Sequence, residues 1–144
     1  HKYDYNNHMK ERFLYILCGL SLIMLGLLIY IFFREGTYIN TVLGISGYFA
    51  EKSFPCSVLI KYYLTDLLWC ASLTFFLYAI FLPEENGAIV LALTAFSCGC
   101  LWELLQYMGI VSGTGDIIDC IMYFAGAIQP VIIKKIMYTR RKNV

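Results

Sequence analysis

From Phe13 to Phe33 the chain runs for 21 residues without a charge. About 20 apolar residues in a helix, rising 1.5 Å each, cover the hydrocarbon core of a bilayer. Lys10 and Arg12 flank the run on one side, Arg34 and Glu35 on the other. A signal peptide has a shorter apolar region and a small-residue cleavage site, and neither is found here. The segment therefore reads as a retained spanning helix. That constrains the rest of the chain, because in lipid each backbone N–H and C=O must be satisfied internally.

Composition agrees. Hydrophobic residues make up 60% of the 144 positions and charged residues 15%, against about 25% charged in soluble domains. Eleven Lys and Arg face ten Asp and Glu, so no basic excess exists to neutralise the phosphates of a nucleic acid. A disordered chain is excluded by the same apolar content.

Residues 57–82 predict a second span, with Lys61 near its start and Asp66 inside. Pro83-Glu84-Glu85-Asn86-Gly87 reads as a turn. Residues 88–111 predict a third span carrying Glu103 and Gln106, and the run Ser112-Gly113-Thr114-Gly115 breaks it. Residues 117–138 predict a fourth, with Asp119 near its start and Pro130 inside, where a kink is expected. The mixed segment 36–56 is too broken to span and reads as a loop with a short interfacial or re-entrant helix. The expected fold is thus an all-α membrane protein, a bundle of four transmembrane helices.

Residues 1–8 read as the remnant of a tag and linker, with residues 9–144 as a single integral membrane domain. Both histidines fall in the first segment, so histidine-based catalysis and metal binding are not expected. Lys10 and Arg12 before the first span and Lys134, Lys135, Arg140, Arg141 and Lys142 at the other end place both termini on the cytoplasmic side. The six cysteines, five of them within spans, read as small packing residues, with Cys56 in the outer loop as the candidate for reactivity.

The polar residues inside the spans carry the functional signal. An ionisable side chain there costs roughly 2.5–3.5 kcal/mol on insertion scales and normally faces the bundle interior. Asp66 lies some eight residues into the second span and Glu103 some eight residues before the end of the third. Helix rise puts both about 12 Å below the same surface. Asp116 and Asp119 begin the fourth span at that surface, so carboxylates from three helices are expected to meet in one half of the membrane. Gln106 shares a helix face with Glu103, and Trp69 with Asp66, each at i, i+3. Asp116 also suits an N-cap. Asp66, Trp69, Glu103, Gln106, Asp116 and Asp119 are the candidate cleft residues. Asp116, Asp119 and Glu103 have the oxygen chemistry for a hard divalent cation.

Three segments in order resemble the VanZ-like family of small membrane proteins. Asp66-Leu67-Leu68-Trp69 resembles its D-x-L-W at the opening of a span, and Glu103-Leu104-Leu105-Gln106 its E-x-x-Q on the next helix. Gly113-Thr114-Gly115-Asp116-Ile117-Ile118-Asp119 resembles its G-x-x-D-x-x-D at the start of the last. The chain departs from the pattern at Tyr123, where members often carry Asn. The resemblance implies a multi-pass protein of the bacterial cytoplasmic membrane associated with resistance to glycopeptides, teicoplanin in particular. It implies no particular reaction. The expected ligands are a membrane lipid, a lipid-linked cell-wall precursor or the lipid tail of the antibiotic, held or acted on in the acidic cleft. A proton-coupled small-molecule exporter and a structural membrane subunit are the alternatives from the residues alone.

Overall fold

The computed structural model describes residues 2–33, 41–42, 44 and 59–142. Four long helices account for most of them: α1 (Lys2–Phe33), α2 (Thr65–Phe81), α3 (Glu85–Tyr107) and α4 (Ile117–Lys142). A π-helical stretch, Leu59–Leu64, leads directly into α2. No strand occurs among the described residues. Four helical segments are long and apolar enough to cross a membrane: Asn7–Phe33, Tyr62–Phe81 (α2 with the end of the π-helical stretch), Glu85–Tyr107 and Ile117–Thr139. The expected re-entrant segment lies largely outside the described residues.

The fold is a four-helix bundle with α2 at its centre. Half of the most apolar window of α2 is buried, against 17% for α1 and 22% for α3 and α4, so the outer helices present most of their surface to lipid. Phe13, Leu17, Leu20, Met24 and Leu28 of α1 and Ile121, Ile128 and Ile132 of α4 point outward accordingly. In lipid the helices gain nothing from hiding such residues from water, and association rests on close packing and interhelical hydrogen bonds.

The close packing is visible at glycines. Gly19 and Gly26 of α1 are seven residues apart, and so are Trp69 and Phe76 of α2. The indole of Trp69 lies against Gly26 and the ring of Phe76 against Gly19. Side chains at a seven-residue repeat meet glycine notches at the same repeat, as in antiparallel left-handed packing. Between them Ser72 donates a 2.8 Å hydrogen bond to the carbonyl of Gly19. On the other side of α2, Gly126 of α4 sits directly on the carbonyl of Leu67, backbone against backbone.

The α2–α3 turn is short and internally pinned. Leu82 ends α2 in the left-handed conformation, φ 44°, and donates its N–H to Tyr78 O at 2.9 Å. Pro83 follows and cannot extend the helix. The fully buried Tyr78 donates its hydroxyl to Ala88 O at 2.9 Å, across to α3. Its ring meets Tyr15 edge-on at 5.6 Å between centroids, which brings α1 into the same aromatic cluster with Phe75.

At this end of the bundle α1 and α4 share a sequestered ion pair. Lys134 contacts Glu11 Oε1 at 2.9 Å and donates to the Tyr15 hydroxyl at 3.1 Å. Tyr15 in turn donates to Glu11 at 2.8 Å. The two charged side chains are only 13% and 10% exposed. Removing one partner of such a pair typically costs about 3–5 kcal/mol, because the other charge is left buried. Lys134→Met is therefore expected to lower the melting temperature in detergent strongly, and the double variant Glu11→Leu/Lys134→Met to recover most of the loss. Gly126→Ala forces a Cβ onto the Leu67 carbonyl and is expected to destabilise by about 1–3 kcal/mol. Gly26→Ala meets the half-exposed Trp69 ring, which can turn aside, and touches Leu68 Cβ at ordinary van der Waals distance, so the same melting assay should show a smaller loss.

Candidate functional site

The site is built at the opposite end of the bundle by a reversal of the chain. After Tyr107 the backbone tightens: Ile110 and Val111 both donate N–H to Leu105 O, at 3.0 and 3.3 Å. The sequence predicts that the third span reaches 111, but these bonds turn the chain back and end α3 at Tyr107. Gly109 at φ 69° and Gly113 at φ 140° supply backbone conformations that L side chains rarely adopt. Gly115 then passes so close to the backbone of Glu103 and Tyr107 that a Cβ has no room. As a result α4 starts level with Glu103, about 6 Å below the end of α3.

That placement answers how a carboxylate survives in the bundle interior. Glu103 is 6% exposed. Its Oε2 accepts the backbone N–H of Asp116 at 3.1 Å, at the start of α4. Helix N-termini present N–H groups and a partial positive charge, which favour an anion. Its Oε1 accepts the hydroxyl of Tyr123 at 3.0 Å. The Tyr123 ring lies flat over Gly99 of α3, where any side chain would displace it. The same hydroxyl is 3.4 Å from Asp66 Oδ1 of α2. One phenol thus stands between carboxylates from two helices.

Asp116 caps α4, as its position predicts: Oδ1 accepts the N–H of Ile118 at 3.0 Å. Its Oδ2 lies 3.5 Å from the hydroxyl of Tyr63 in the π-helical stretch. Asp119, in the first turn of α4, has a buried carboxylate oxygen and is close enough to Tyr63 and Tyr123 to act on both electrostatically. Asp66, Glu103, Asp116 and Asp119 therefore gather at one end of the bundle.

The other candidates sit apart from this network. Gln106 folds its amide against Gly113 and braces the reversal. Trp69 turns toward α1 and fills the notch at Gly26. Trp102 and Tyr107 face outward. The Lys61 side chain and Cys56 lie outside the described residues. Tyr63 and Tyr123 are the residues that sequence reasoning missed as site members. A signal existed for each: Tyr63 precedes Asp66 by three residues and Tyr123 follows Asp119 by four, spacings that share a helix face.

Chemically, the centre is suited to hold a proton between two acids. A phenol has one hydrogen to give. The shorter contact directs it to Glu103, and a proton on Asp66 would complete the series Asp66 to Tyr123 to Glu103. The fit to a hard cation is poor. Both Glu103 oxygens and both Asp116 oxygens already contact protein donors. Among the described residues no three His, Cys, Asp or Glu side chains converge as metal ligands.

Comparison with protein-family models, with curated proteins and with solved structures finds no match.

Tyr123→Phe keeps the ring over Gly99 and deletes the donor between Glu103 and Asp66. Leaving a buried polar group unsatisfied costs about 1–3 kcal/mol. The variant is expected to melt correspondingly lower in detergent, and Tyr123→Phe/Glu103→Gln to melt higher than Tyr123→Phe, since the neutral amide relieves the charge left without its donor.

Proposed function

We propose that this chain is a multi-pass protein of the bacterial cytoplasmic membrane that holds the polar head of an envelope lipid or lipid-linked cell-wall component. Its acidic site, Asp66, Glu103, Asp116 and Asp119, lies in the outer half of the bilayer, with both termini cytoplasmic. In cells this activity lowers susceptibility to glycopeptides, teicoplanin above all, as the VanZ-like resemblance implies.

The observation that carries the proposal is the meeting of Asp66 and Glu103 at Tyr123, with Asp116 beside them. Ionisable side chains within spans are costly, and their convergence at one level is the usual mark of a ligand or proton site. Asp66, Asp116 and Asp119 are only partly buried and remain able to meet the amines and hydroxyls of a headgroup. The basic residues at the two chain ends support the orientation.

A structural reading is favoured by one feature: Glu103 has both oxygens satisfied within the protein, as a clasp between α3 and α4 would. Teicoplanin susceptibility separates the two. Cells expressing the wild type are expected to tolerate more antibiotic than cells carrying Asp66→Asn or Glu103→Gln at equal membrane abundance. Equal tolerance in all three, with abundance matched, would leave the clasp as the whole role of the network.

A further inference from the structure

The α3–α4 interface has a register that can be read from three independent contacts. Phe96 meets Phe124 edge-on at 5.7 Å between ring centroids. Gly99 receives the ring of Tyr123. Glu103 accepts the N–H of Asp116. These pairs step in opposite directions along two antiparallel helices. The register they define sets Cys100 opposite Cys120. Each cysteine also lies one turn from a member of the aromatic pair: Cys100 follows Phe96 by four residues, and Cys120 precedes Phe124 by four. Both therefore point into the same interface. The Cys120 thiol is within interaction reach of Cys100.

Among the described residues the other cysteines are placed differently. Cys98 is exposed on α3, and Cys70 of α2, buried at 4% exposure, packs with Ala92, Ala95, Tyr123 and Ala127 from the other side of the two helices, out of reach of a reagent in the lipid. Cys100 and Cys120 are both half-buried, and neither is bonded to another cysteine. They are accessible to a small reagent dissolved in the lipid and already face each other.

We propose that Cys100 and Cys120 form a reversible dithiol–disulfide pair that locks the acidic site. Two S–H bonds break and one S–S bond forms. The two protons and the electron pair pass to a membrane-soluble two-electron acceptor of the quinone class, which leaves as the quinol. The pair lies between the Gly99–Tyr123 contact and the Glu103–Asp116 contact, so the bridge fixes the α3–α4 separation at the Tyr123 hydroxyl. In the dithiol form that separation is held only by packing and hydrogen bonds. The pairing does not depend on which ligand the acidic site takes.

The test uses the full chain in lipid nanodiscs, oxidised with duroquinone, a fully substituted quinone that cannot alkylate thiols. Mass spectrometry of the digested protein is expected to find a peptide joining Cys100 to Cys120, and dithiothreitol to remove it. The oxidised protein should melt at a higher temperature than the reduced one. Cys98→Ser and Cys70→Ala should keep both effects, while Cys100→Ser and Cys120→Ser should abolish them. Cys100 and Cys120 still alkylatable after oxidation, or a bridge that survives in Cys100→Ser, would overturn the proposal. Because the wild type is itself the principal sample, a variant that fails to fold does not blunt the result.

Discussion

The seating of the Glu103 carboxylate on the first turn of α4 is the interaction on which the rest of this architecture turns. An acid in a lipid-embedded bundle needs compensation. Here it comes from a backbone N–H, the partial charge of a helix end and one phenol. Each of these depends on the chain reversing within the membrane-level end of α3. The reversal in turn needs Gly113, with its positive φ, and Gly115, with no space for a Cβ. The same reversal sets the starting level of α4 and so delivers Tyr123, two turns further along, to the space between Glu103 and Asp66.

The number of spanning helices and the shared level of Asp66 and Glu103 were legible in the sequence because both depend on helix rise. Runs of apolar residues marked four spans, and counting inward from their ends placed Asp66 and Glu103 at one depth, with Asp116 and Asp119 at the surface above; it is the glycine-rich reversal that brings the start of α4 down to Glu103. The rotation of each helix was not legible. A helix surrounded by lipid is apolar on all sides, so hydrophobic periodicity does not say which face packs inward. Trp69 shares a face with Asp66 by spacing, yet it turns to the notch at Gly26. The end of α3 was overrun to 111 because Ile110 and Val111 look like more span, although their amides fold back on Leu105. Tyr123 stood out only as a departure from the VanZ-like pattern. A tyrosine in mid-span among acids is itself a clue, since a buried phenol usually finds a partner.

Two kinds of packing divide the labour in the bundle. The α1–α2 contact is made by aromatic side chains set against glycines at a matched seven-residue repeat. The α2–α4 contact is made by backbones in direct touch at Gly126 and Leu67. The first can absorb small changes by moving a ring. The second cannot, and it lies within one turn of Tyr123. Precision at the acidic end is therefore inherited from a contact of backbone on backbone.

The Glu11–Lys134 pair has a consequence for how the chain is assembled. Lys134 sits in the last and least apolar of the four spanning segments, at mean hydropathy 1.5. Its counter-charge resides at the start of the first, at mean hydropathy 2.7. During synthesis Glu11 must wait beside the emerging bundle until the final segment arrives. Docking of that segment then neutralises both charges at once, so one sequestered pair couples α1 to α4 across 123 positions of sequence.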